Sequence, residues 1–125
     1  MKKRVLLSIH PKHADAIFAG RKGYEFRRVL FKQDVVEIVV YATSPVSRVV
    51  GSFKIKNIHE DNPSQLWART KEMAGVEKEL FDSYFKNRQI AFGIEIENPV
   101  LFPQSERLSK YVASNKPPQS FCYIQ

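Results

Sequence analysis

Strand patterning dominates this chain, and the way strands and helices follow one another limits its fold more than any other feature. Residues 88–97 alternate strictly, with Ile90, Phe92, Ile94 and Ile96 on one side and Ala91, Gly93, Glu95 and Glu97 on the other. A period of two marks a half-buried strand. Residues 4–9 and the β-branched run 34–43 read as strands, the second of them central. Residues 23–28 set Tyr24 and Phe26 against Glu25 and Arg27; residues 47–58 set Val49, Phe53 and Ile55 against Ser52, Lys54 and Lys56. Gly51 stands within that second alternation and predicts a bend or bulge. Helical spacing is confined to residues 13–19, which Gly20 stops, and to residues 62–85, which Gly75 splits in two. Residues 105–114 are polar with helical character, and the apolar tail 121–124 reads as a last strand that docks. The order β-α-β-β-β-α-α-β-(α)-β has no regular βαβ alternation. It predicts an α+β fold, a small partly open β-barrel with helices packed at its ends.

The 125 residues suit a single domain spanning 1–125. With 43% hydrophobic and 26% charged residues the chain has the composition of a globular protein, which excludes a disordered one. No apolar run approaches the roughly 18 residues of a bilayer span, so no membrane partner is expected. The basic start at Met1 leads into an apolar stretch, residues 5–9, too short for a secretory signal. A cytoplasmic location is therefore expected. A lone cysteine, Cys122, agrees and excludes an internal disulfide.

Charge narrows the partner. The net charge is +7, and residues 1–60 hold the entire excess, with twelve Lys/Arg against five Asp/Glu. Arg21, Lys22, Arg27 and Arg28 are its densest part, flanked by Lys12 and Lys32. Such a one-sided field attracts polyanions, and RNA or a nucleotide-like ligand is the expected partner. The plain alternative is a basic protein with no anionic ligand.

Three segments interrupt good core patterning with polar residues. In the first, Lys22 stands at the mouth of a strand whose one face carries Glu25 and Arg27, with Gly20 and Gly23 beside it. A carboxylate can orient an arginine for phosphate or carbonyl oxygens, and a lysine amid cations can have a lowered pKa. A surface Glu–Arg pair of little consequence is the competing reading. In the second, Tyr41, Thr43 and Ser44 end an apolar strand before Pro45; in the third, Gln119 and Ser120 follow Pro117 and Pro118. Taken alone, both read as turn chemistry. His10, His13 and His59 make no convincing metal set, and neither a metal nor a cofactor is expected. Cys122 has no evident partner base, and Trp67 reads as core.

The succession Leu6-Leu-Ser-Ile-His-Pro11, then Gly20-x-Lys22-x-x-Glu25-x-Arg27, then Tyr41-Ala-Thr-Ser-Pro45, closing on Pro117-Pro-Gln-Ser-Phe121, resembles the ASCH domain family of the PUA-like superfamily. The resemblance covers nearly the whole chain and matches small stand-alone members. It implies a PUA-like barrel with a basic cleft between sheet and helices, and RNA binding linked to translation or transcription. Lys22, Glu25 and Arg27 fall on the family motif; Ser8, Tyr41, Ser44 and Ser120 would be cleft neighbours. Some family members are linked to RNA cleavage, and a related group deacylates N4-acetylcytidine with Lys, Thr and Glu. Lys22 matches that lysine, but Glu25 stands where the threonine would, which argues against the same amidohydrolase chemistry.

The leading expectation is thus an RNA- or modified-nucleoside-binding domain using Lys22, Glu25, Arg27, Ser8, Tyr41, Ser44, Gln119 and Ser120. The alternative is a hydrolase acting on RNA or an acylated nucleoside, with Lys22 and Glu25 catalytic. A third reading is a protein-interaction module with Leu66, Trp67, Phe81, Tyr84 and Phe85 as its adhesive face. Oligomeric state is not legible.

Overall fold

A computed structural model describes residues 2–125. Its strands are β1 (Lys3–Ile9), β2 (Tyr24–Arg27), β3 (Val35–Ala42), β4 (Arg48–Asp61), β5 (Ala91–Glu106) and β6 (Phe121–Ile124). Its helices are α1 (Pro11–Phe18), α2 (Pro63–Thr70) and α3 (Lys78–Tyr84), with single 3-10 turns at Lys71–Met73 and Leu108–Lys110. Among the described residues no helix is long and apolar enough to cross a membrane.

All six strands form one mixed sheet in the order β2-β5-β4-β3-β1-β6. Only β1 and β3 run parallel. In a flat sheet of this order β2 would lie four strand spacings from β1, about 19 Å. Yet Arg27 on β2 donates from Nη2 to the Ser8 carbonyl of β1 at 2.8 Å. The sheet therefore curls until its edges approach, and an arginine side chain spans the seam that no backbone ladder closes. This is the partly open barrel expected, an α+β fold.

Strand alternation distributes the apolar residues over three clusters. Val5, Leu7, Ile9, Ile38, Val40, Phe53 and Ile94 fill the inside of the curl together with Ala14 and Ile17 of α1. Phe26 and Ala91 face outward and are covered by Leu66, Phe81 and Phe85 of the α2–α3 segment. Leu6, Val39, Tyr41 and Val49, the alternate strand positions, pack beneath Leu108. Helix α1 begins at Pro11, not at His13, because Pro is preset for the first helical position and His10 caps the turn, its Nδ1 accepting from the Lys12 amide at 3.1 Å. Asn62 does the same for α2, accepting from the Gln65 amide at 2.9 Å.

Two strand expectations change. Val49 and Phe53 lie on opposite faces because the ladder is irregular between Val49 and Gly51. That irregularity sits where Gly51 was expected to bend the strand; a Cβ there would meet the Phe18 ring and the Val100 carbonyl at 2.5 Å. Strand β5 also runs on past Asn98, Pro99 and Pro103 to Glu106, so the predicted polar helix shrinks to one 3-10 turn. Those prolines concealed a continuous strand, which pairs with β4 through several register shifts. Ala91 and Gly93, expected to face solvent, are buried because α2 and α3 cover that side.

Candidate functional site

β2 is an edge strand paired only to β5, with Glu25 opposite Ile94 and Arg27 opposite Phe92. Glu25 and Arg27 thereby share the inward face at the seam, while Phe26 turns out to the helices. The Arg27 guanidinium makes four hydrogen bonds. Nε and Nη2 donate to Glu25 Oε2 at 3.1 and 2.8 Å, Nη2 donates to the Ser8 carbonyl, and Nη1 donates to Ser120 Oγ at 3.3 Å. Four of its five N–H groups are thus engaged within the protein. Ser8 in turn donates its hydroxyl to the Pro118 carbonyl at 2.7 Å. Arg27 is a brace tying β2 to β1 and to the approach to β6, with a single donor left for a ligand.

Lys22 is situated differently. It is only 3% exposed, and its ammonium donates to the Ala74 carbonyl at 3.0 Å. Glu25 Oε1 stands 4.0 Å from it, and the Phe26 ring centroid lies 4.9 Å away. Two ammonium protons therefore have no hydrogen-bond acceptor among the described residues. Burial pulls the Lys22 pKa below its usual value; Glu25 opposes the shift and Arg27 adds to it. A buried ammonium so sparsely satisfied is the kind of group that functional sites keep.

Gly75 makes this burial achievable. Its φ is +70°, and a Cβ there would fall 2.5 Å from Lys22 Cβ and 2.6 Å from Lys22 Cγ. The backbone can pass over the lysine and present the Ala74 carbonyl only without a side chain. Gly75→Ala should destabilise the fold by about 1–3 kcal/mol, from the left-handed conformation and the clash together. Urea denaturation measures this; a change within experimental error would contradict the packing described.

Lys22, Glu25 and Arg27 line one cavity of about 220 Å³. Ser8, Ile9, His10 and His13 form one side of it, and Phe26, Val76, Leu80, Phe81 and Tyr84 the other. His13 is the residue that sequence reasoning passed over. Its Nδ1 is buried with no hydrogen-bond partner among the described residues. Burial, then the Lys22 charge, hold its pKa below 6.5, with Glu25 opposing and His10 and Lys12 adding smaller depressions. Its position four residues before Ile17 on α1, the same helix face, was the available signal. Because the folded pKa is depressed, the unfolded chain takes up a proton first. Stability contributed at neutral pH is then lost as pH falls below roughly 6.5. His13→Gln should flatten that loss between roughly pH 7 and 5 in denaturation profiles; an unaltered profile would contradict it.

The other expected site residues divide. Ser8 and Ser120 join the cluster through Arg27. Tyr41 does not: alternation along β3 sends Ile38 and Val40 inward, so Tyr41, 5% exposed, packs on the opposite face. There it lines a separate depression with Arg48 and Arg107. Ser44 is exposed in the turn before Pro45, and Gln119 is exposed and lines neither cavity. Strand phase and turn geometry, not residue type, separate these three from Lys22. The proposed adhesive face is largely interior: Leu66, Phe81 and Phe85 are buried, and Trp67 packs on Phe81 with ring centroids 5.0 Å apart. Cys122 is half-buried on β6, and burial raises its thiol pKa.

A curled mixed sheet with a lysine-containing cavity beside its seam defines the class, and comparison with known proteins agrees. The ASCH domain model matches residues 7–100, three quarters of the chain. The chain belongs to the ASCH domain family. The ASCH domain-containing ribonuclease of Zymomonas mobilis is 28% identical over 127 residues, covering 99% of this chain and 86% of that protein. The crystal structure of ASCH from Zymomonas mobilis matches with a TM-score of 0.90 at 27% identity, over 98% of this chain and 88% of that one. The large ribosomal subunit protein uL22 of Ureaplasma parvum is 25% identical over 122 residues, which span 97% of this chain but only 39% of that longer protein.

Proposed function

We propose that this domain binds single-stranded RNA, or a modified nucleoside within it, by taking one unpaired base into the Lys22 cavity. The observation that carries the reading is the buried Lys22 ammonium with two donors to spare, set against Glu25 in a cavity walled by Phe26, Phe81 and Tyr84. RNA is recognised mostly where bases are splayed out, stacked on aromatic rings and hydrogen-bonded along their edges. Lys22 supplies a donor for a carbonyl oxygen and Glu25 an acceptor for an amino group. Drug-sized pockets run from roughly 300 Å³ upward, so about 220 Å³ suits one base or nucleoside. The name of the Zymomonas mobilis relative supports an RNA substrate, and the basic first half of the chain supports a polyanion. A cytoplasmic setting, where RNA abounds, fits this reading.

Leu80 offers a direct test, since it lines the cavity and is 49% exposed. Leu80→Trp should fill the cavity while leaving the thermal midpoint nearly unchanged. Filter binding to a mixed-sequence single-stranded RNA should then weaken at least tenfold. Wild-type affinity in a folded Leu80→Trp protein would remove the reading.

One observation favours cleavage as a second reading. A His13 imidazole kept in its base form, next to an ammonium and a carboxylate, is the equipment of acid–base catalysis. In that reading His13 or Glu25 accepts the 2′-hydroxyl proton, and the 2′-oxygen bonds to the adjacent phosphorus as the bond to the 5′-oxygen breaks. Lys22 stabilises charge on the phosphate, and the departing 5′-oxygen takes a proton from water. The rate of RNA cleavage should rise with pH and level off near neutrality, and His13→Gln should abolish the rise. A profile unaffected by that substitution would exclude His13 as the base.

A further inference from the structure

The cavity opens beside a second depression whose chemistry is different. This groove, of about 250 Å³, is lined by Arg27, Arg28, Val29, Tyr84, Arg88 and Ser120. Arg27 and Tyr84 belong to both walls, so the groove begins where the cavity ends. Three arginines and two hydroxyl-bearing residues, Tyr84 and Ser120, line it, and no acidic residue does.

Arg28 directly follows β2 and is exposed, its guanidinium 4.6 Å from the Tyr84 ring centroid. Stacking on an aromatic face fixes the plane of the guanidinium and leaves its N–H edge free. Arg88 lies just past α3, where Asn87 adopts a φ of 63° and the Arg88 amide donates to the Phe85 carbonyl at 3.0 Å. That turn brings it back toward the seam. Neither Arg28 nor Arg88 has an acidic side chain within ion-pair distance among the described residues, although eight such pairs exist elsewhere. Both guanidinium groups therefore remain available around a concave surface.

We infer that this groove is a phosphate subsite, holding the phosphodiester of the nucleotide adjoining the one whose base enters the cavity. The inference rests on the base-binding reading above and extends it: the strand leaves the cavity over Tyr84, and Arg28 and Arg88 grip its backbone. Arginine forks match phosphate oxygens in geometry, and backbone contacts set the position of a nucleic acid without reading its sequence.

The test uses the full chain, a single-stranded RNA hexamer and an abasic hexamer carrying the same phosphates, titrated at several salt concentrations. Wild type should bind the RNA hexamer more tightly than the abasic one. Arg28→Gln and Arg88→Gln should each weaken both ligands several-fold and flatten the log affinity against log salt line by about 0.7 for each phosphate no longer neutralised. The preference for RNA over abasic oligomer should survive both substitutions. If both variants retain the wild-type slope while the RNA preference persists, the groove assignment is overturned and base binding stands. If the slopes flatten but wild type binds the two oligomers equally, the groove holds phosphate and the base-binding reading falls. Arg28→Lys should restore the slope, because charge sets the salt dependence, and a slope left flat by lysine would count against a phosphate at that position.

Discussion

Replacing Lys22 with methionine should cost the protein about 10- to 100-fold in RNA affinity while leaving its folding stability within about 1 kcal/mol of wild type. The two halves of this expectation have separate causes. A charge-assisted hydrogen bond to a ligand contributes about 1.5–3 kcal/mol, which sets the affinity loss. On the folding side, burial works against the Lys22 charge, so an apolar side chain of similar length relieves a cost. It also leaves the Ala74 carbonyl without its donor, which offsets much of that relief. A lysine kept for structure alone would behave in the opposite sense: methionine would destabilise the fold and leave binding untouched. Equilibrium denaturation and filter binding on the same preparation decide between them.

Arg27→Ala should have the largest effect on stability, on the order of 3 kcal/mol. It removes all four of the hydrogen bonds that the guanidinium makes at the seam. The Glu25 carboxylate, 7% exposed, would keep only Lys22 at 4.0 Å as counter-charge. Breaking one partner out of a buried pair costs more than the pair itself contributes, because an uncompensated charge remains. The double variant Arg27→Ala, Glu25→Leu should recover part of the loss. Urea unfolding of the three proteins measures this, and a single variant within about 1 kcal/mol of wild type would show that the seam does not depend on the arginine.

This pairing also explains how far the sequence could be read. The alternation of Tyr24 and Phe26 against Glu25 and Arg27 correctly placed two polar side chains on one strand face. It gave no sign that this face turns into the barrel, because inward and outward are decided by strands far away in the chain. Order of elements was legible since each has its own local pattern, and the α+β barrel followed from that order. The long continuation of β5 was not, because Pro99 and Pro103 carry the local signature of loops; they fall at the register shifts, and pairing of Val100 and Leu101 between them with distant Ser52 and Gly51 carries the ladder on. Tyr41 illustrates the same division: its strand was evident, but one residue of phase decided which face it occupies. Arg27, expected to contact a ligand, keeps one N–H for that role and gives the other four to Glu25, Ser8 and Ser120, the last two far from it in the chain.

Where the base sits is the point on which the functional account turns. Photocrosslinking with single-stranded RNA that carries thiouridine, followed by peptide mapping, tests this most directly. Adducts on Phe26, Phe81 or Tyr84 are the predicted result. Adducts confined to the far face around Tyr41, Arg48 and Arg107 would contradict it.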